Sequence, residues 1–169
     1  MLEFRGGWFI SQYRLHAMDV TPRHKSEGPL LAMLMGRERE RFVLPKGYQH
    51  FEITRFHTRG NSMGGGPWYL RTVSLDELTQ LGGTTEGKHG DLLRYNGPRA
   101  DLSFEWNRGE STGTLSFQPL TGGSEKVLTE PGAMRGVVTL PGAGLLKVET
   151  YGRWQLNLTR QDSKGPSGP

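Results

Sequence analysis

The chain has 169 residues and no cysteine, which excludes a disulfide framework, a thiolate nucleophile and a zinc-finger site. Glycine and proline, at 25 and 10 residues, suit short strands joined by many turns, while the 34% of apolar residues still supports a core. The formal charge of +4 falls within residues 1–60, where ten Lys/Arg face six Asp/Glu, against eleven and eleven in the remainder. So dilute an excess predicts an ordinary solvated surface, and nucleic acid is not expected as a partner.

The opening Met1-Leu2-Glu3-Phe4-Arg5 lacks the charged and apolar regions of a secretory signal. The longest apolar run, Leu30 to Met35, is far short of the ~18 residues that cross a bilayer. The expectation is a chain without membrane insertion, located in the cytoplasm or in an assembled particle.

Residues 7–15 read as a first strand. A polar segment at 19–29 with two prolines follows and reads as a surface loop. Leu30 to Met35 reads as a short buried strand that Gly36 ends. In Arg37-Glu38-Arg39-Glu40-Arg41 a period of two sets three arginines on one face and two glutamates on the other, which predicts an edge strand. Gln49 to Phe56 resumes a strand, residues 59–67 form a Gly-rich loop, and Trp68 opens the next strand. Ser74-x-x-Glu77 is a capping box, and with Leu75, Leu78 and Leu81 it predicts one short helix near 75–81. Thr84 to Gly90 reads as a polar connector.

The second half is more regular. Leu102, Phe104 and Trp106 alternate with Asp101, Ser103, Glu105 and Asn107, a half-buried strand with one wet face. Leu115 and Phe117 continue the inward face after a turn, and strands follow near 127–128, 137–140, 145–150 and 154–158. Residues 161–169 form a polar tail. The phrase Gly-x-Trp opens a strand three times, at Trp8, Trp68 and Trp154. The fold class is therefore all-β: an antiparallel β-sandwich, jelly-roll-like, with the one short helix. It is either a single domain over 1–160 or two pseudo-repeated β-units at about 1–83 and 90–160.

Gly90-Asp91-Leu92-Leu93, the run Val127 to Val138, Leu145-Leu146-Lys147-Val148 and Gly152-Arg153-Trp154 follow one another as turn and strand. Over residues 90–159 this order resembles β-sandwich repeat domains of uncharacterised actinobacterial proteins. The resemblance implies a sandwich fold and no known activity.

Chemistry is sparse. His16, His24, His50, His57 and His89 form neither His-x-His nor His-Glu-x-x-His, and His50 and His57 fall on opposite faces of a common strand, so no metal site is expected. Asp101 and Glu105 share a face as a glycosidase pair would, but it is the wet face of their strand. Gly-x-Ser-x-Gly is absent, and Gly64-Gly65-Gly66 lacks the Lys-Ser/Thr of a phosphate-cradling loop. No catalytic residues and no cofactor are expected. Binding falls to aromatics and arginines, which dominate contact energy at interfaces. Trp68, Tyr69, Trp106, Arg59 and Asn61 are the candidate binding residues, and Arg37, Arg39 and Arg41 the candidate interface. The expected function is a non-enzymatic interaction or assembly module, such as a structural subunit of a larger particle. Its partner is a protein or another copy of itself. The alternative is a carbohydrate- or other ligand-binding domain using exposed Trp and Tyr.

Overall fold

The computed structural model describes residues 1–6, 12–21, 24–35, 39–44, 47–56, 68–107, 113–150 and 152–160, and divides them between two units, Met1–Glu77 and Leu78–Pro169. Both are built of strands. No helix among the described residues is long and apolar enough to cross a membrane.

The first unit contains β1 (Leu2–Arg5), β2 (Gln12–Thr21), β3 (His24–Met35), β4 (Arg39–Phe42), β5 (His50–Phe56) and β6 (Tyr69–Thr72). They form two three-stranded antiparallel sheets, β4-β1-β6 and β3-β2-β5. Period-two alternation gives each sheet an apolar face. Phe4, Phe42, Leu2 and Leu70 come from one sheet and Tyr13, Leu15, Ala17, Ala32 and Ile53 from the other, and they pack as one core. The Phe4 ring meets Tyr13 edge-on at 6.0 Å, a geometry the ring quadrupoles favour.

Two expectations change in this unit. Most of the segment read as a loop at 19–29 is hairpin: β2 runs to Thr21 and β3 starts at His24, pairing Asp19 with Ser26 and Val20 with Lys25. Polar residues extend a ladder here because the backbone bonds of β2 and β3 continue past the apolar positions. A register shift near His16 and Ala17 marks a bulge in this hairpin. The predicted helix over 75–81 reduces to a 3-10 turn at Leu75–Glu77. Half of the capping box is present, with the Ser74 amide donating to the Glu77 carboxylate at 3.0 Å. The helix goes no further because Thr79 and Gln80 are taken by a strand ladder.

That ladder belongs to the second unit. Its strands are β7 (Thr79–Gln80), β8 (Thr84–Lys88), β9 (Asp91–Tyr95), β10 (Ala100–Trp106), β11 (Thr114–Pro119), β12 (Lys126–Val127), β13 (Arg135–Leu140), β14 (Gly144–Glu149) and β15 (Arg153–Arg160). One sheet has the order β8-β15-β10-β13 and the other β7-β9-β14-β11-β12. Every pairing is antiparallel except β7 on β9. The chain changes sheet at each step from β8 to β11, stays in one sheet for β12, and then alternates again to β15. This is the order of an eight-stranded jelly roll. The sandwich expected from the sequence is thus found here, and its jelly-roll character is explicit in the strand order.

The jelly-roll core joins Leu102, Phe104, Trp106, Trp154 and Leu156 of one sheet to Leu93, Tyr95, Leu115, Phe117, Leu146 and Val148 of the other. Residues 84–88, read from the sequence as a connector, form β8 because each pairs in register with β15. Gly87 is required there: a Cβ at that position would overlap the Trp154 indole packed against it. The Trp154 Nε1–H donates to the His89 carbonyl at 2.7 Å, which satisfies the one polar atom of a buried ring.

Candidate functional site

In the β4-β1-β6 sheet the face opposite the core is charged. Leu2 and Phe4 point into the core, so Glu3 and Arg5 point away from it. Register then fixes their neighbours. Glu3 lies opposite Arg41 on β4 and Arg71 on β6, and Arg5 lies opposite Arg39 and Tyr69. The face is a grid of two rows, Arg41–Glu3–Arg71 and Arg39–Arg5–Tyr69.

Glu3 organises the grid. Its Oε2 accepts from Arg41 Nε at 3.0 Å and its Oε1 from Arg71 Nε at 3.0 Å. Arg5 Nε lies 3.3 Å from Oε1, and Arg39 Nη1 lies 3.9 Å from Oε2. Glu3 is buried although it sits on an outer face, sealed by the guanidinium groups around it rather than by depth. Burial pushes its carboxyl pKa up, but the hydrogen bonds from Arg71 and Arg41 outweigh that and hold it below the usual carboxylate range. Arg71 also donates through Nη1 to Glu77 at 2.6 Å. Its pKa is raised by the bonds to Glu3 and then to Glu77. The Glu77 carboxyl is lowered, first by the Ser74 backbone N–H and then by Arg71.

The sequence residues distribute as follows. Arg39 and Arg41 share the face, as their period-two spacing requires, and Tyr69 stands beside them with 62% of its surface exposed. Trp68 is 47% exposed and leans toward the core side of the sheet, its ring 6.2 Å from that of Phe4. Trp106 is placed differently from its expected binding role: it is buried in the jelly-roll core, 5.4 Å from the Phe104 ring, where it cannot meet a surface ligand. It faces inward because it shares the parity of Leu102 and Phe104 on β10. Arg37, Arg59 and Asn61, together with Trp8, lie outside the described residues.

Glu3, Arg5 and Arg71 carry no signal in the sequence that links them to Arg39 and Arg41. A charged residue alternating with Leu2 and Phe4 is the one hint, and it says only that Glu3 and Arg5 share a face.

Two shallow cavities of the jelly roll are lined by described residues. One, of about 450 Å³, is lined by Glu86, Lys88, Asn107, Arg153 and Gln155 with Gly87 and Trp154. The other, of about 510 Å³, lies among Gln80, Leu81, Tyr95, Asn96 and Leu158. Neither lining gathers histidines with carboxylates. Among the described residues no group of three His, Asp or Glu side chains is placed to hold a metal ion. Asp101 accepts from the Thr139 hydroxyl at 2.9 Å on the outer face of its sheet. No known protein family matches the chain, and no curated protein is similar to it.

Proposed function

We propose that the chain is a non-enzymatic interaction module, a subunit that joins a larger assembly through the arginine–tyrosine face of β4-β1-β6. The observation carrying this reading is that four arginines and an exposed tyrosine share one sheet face. Among the described residues, Arg5, Arg39, Arg41 and Arg71 oppose Glu3 and Glu77, four positive groups against two negative. Arginine and tyrosine are the side chains enriched where interfaces concentrate their energy. Such a face repels its own copy, so its partner is an acidic protein surface rather than the same face of a second molecule.

A second contact favours self-association as well. β13 pairs only with β10 among the described strands and leaves Val137 68% exposed on an edge whose middle carries no charge. Edges of this kind invite another strand.

The alternative, a carbohydrate held by exposed aromatics, draws on Trp68 and Tyr69. Tyr69 stands in the outer row beside Arg5, whereas Trp68, just ahead of β6, leans toward the core residue Phe4, so they present no common platform to a sugar.

Light scattering across protein concentration, with and without an added glutamate-rich polypeptide, tests the reading. A mass increase that falls with salt and is lost in Arg39→Glu supports docking through this face. A strict monomer that gains no mass with the acidic chain, and whose tryptophan fluorescence is quenched by a glycan, transfers the assignment to the ligand-binding alternative.

A further inference from the structure

The outer row of the grid has an unresolved charge. Arg5 and Arg39 are directly opposite one another across the β1–β4 ladder. Like charges at paired positions, with Cβ atoms about 5 Å apart, destabilise a sheet. Glu3 cannot neutralise both. Its two oxygens are already engaged by Arg41 and Arg71 at 3.0 Å, leaving Arg5 at 3.3 Å and Arg39 at 3.9 Å. The side chains of Arg5 and Arg39 remain 55% and 39% exposed, and Tyr69 extends the same row on the far side of Arg5.

Arg41, in the neighbouring row, also holds an unmet donor. Arg41 is 92% buried as a side chain, from a side-chain exposure of 8%, and its Nη1 has no hydrogen-bond partner among the described residues. A buried charged donor left unmade costs its desolvation energy unless an acceptor joins it. Arg41 shares the sheet face of the uncompensated pair, but its Nη1 is closed to solvent, so the donors open to an anion are those of Arg5, Arg39 and Tyr69.

We propose that this face binds a phosphoryl group, free or carried on a phosphorylated side chain of the partner, with Arg39, Arg5 and Tyr69 as its principal donors. The proposal deepens the reading of the face as a docking surface and rests on it. A tetrahedral dianion suits the site because donors approach from three strands, and two guanidinium forks can each take two of its oxygens. The Tyr69 hydroxyl supplies a neutral donor at the end of the row. Glu3 is the positioning residue: by holding Arg5, Arg41 and Arg71 it fixes their rotamers before the anion arrives, which reduces the ordering cost of binding.

The test is isothermal titration calorimetry of the full chain with inorganic phosphate, in chloride of matched ionic strength, followed by a phosphoserine peptide and its unphosphorylated counterpart. Arg39→Gln is the main variant, since Arg39 is the arginine least engaged with Glu3. Tyr69→Phe removes only a hydroxyl, and Arg135→Gln, an exposed arginine of the second unit, is the control. The expected result is saturable binding of one phosphate per chain, weakened more than tenfold by Arg39→Gln and severalfold by Tyr69→Phe, with Arg135→Gln unchanged. A phosphopeptide that binds at least tenfold tighter than phosphate identifies the partner's side chain as the source, and equal affinity identifies free phosphate. The proposal is overturned if phosphate gives no more heat than matched chloride, or if Arg135→Gln weakens binding as much as Arg39→Gln. If a glutamate-rich peptide then binds in an Arg39-dependent way, the docking surface stands without the phosphoryl site. If that peptide fails too, both readings fall.

Discussion

Glu3→Gln is the sharpest test of how the first unit is held together. The substitution keeps size but replaces one accepting oxygen with a donating NH2 and removes the one negative charge at the centre of the grid. Arg41, with 8% side-chain exposure, then becomes a buried cation that has lost its Glu3 carboxylate. Breaking a buried pair by removing one partner costs about 3–5 kcal/mol. The other arginines around Glu3 are far more exposed and bring solvent close to the carboxylate, so screening reduces this to roughly 2–3 kcal/mol. For a unit of this size each kcal/mol moves the midpoint by about 4–8 °C, so the expected loss is roughly 10–20 °C. Hydrogen exchange read by mass spectrometry separates the units: β1, β4 and β6 should lose protection while β10 and β15 keep theirs. A double-mutant cycle with Arg41→Met completes the experiment. Removing both partners should recover much of the loss, because no buried arginine is then left without its anion. A Glu3→Gln cost below about 1 kcal/mol, or an Arg41→Met cost that is the same with and without Glu3, would refute the pinning role.

Further outcomes follow from the same structure. Because the Glu3 carboxyl is lowered in the folded state, its contribution is fully present at neutral pH. It declines as pH falls below about 4.3, the ordinary glutamate value, and is gone once pH passes below the folded value. Denaturation of the first unit at a series of pH values should show this acid-side loss, and Glu3→Gln should flatten it. Gly87→Ala forces a methyl group into the Trp154 indole and should destabilise the jelly roll by about 1–3 kcal/mol in urea titration. Trp106→Ala empties the largest fully buried position and should cost about 3–5 kcal/mol by the same assay. Val137→Lys should leave urea stability within about 0.5 kcal/mol, because the side chain is exposed. It should abolish any self-association that runs through the β13 edge, as read by sedimentation velocity.

The alternation Ala100, Leu102, Phe104, Trp106 was enough to orient β10, because side-chain direction along a strand is set locally by a period of two. The same rule put Arg39 and Arg41 on one face and made the all-β class and its turns legible. It also bears on Trp106, since parity with Leu102 and Phe104 sends that indole inward, away from any ligand. What the sequence could not supply is partnership. Glu3 lies 38 residues from Arg41 and 68 from Arg71, and only the β1–β4 and β1–β6 registers bring them within 3.0 Å. Thr84–Lys88 has no apolar pattern of its own and becomes a strand because β15 offers it a ladder and Trp154 needs the space that Gly87 leaves. Thr79-Gln80 leaves a well-capped helical start for the same kind of reason, a backbone ladder with Leu93 and Arg94. Local hydrophobic period fixes which way a side chain faces, whereas register between distant strands fixes what it meets, and the candidate site is made entirely of the second kind of information.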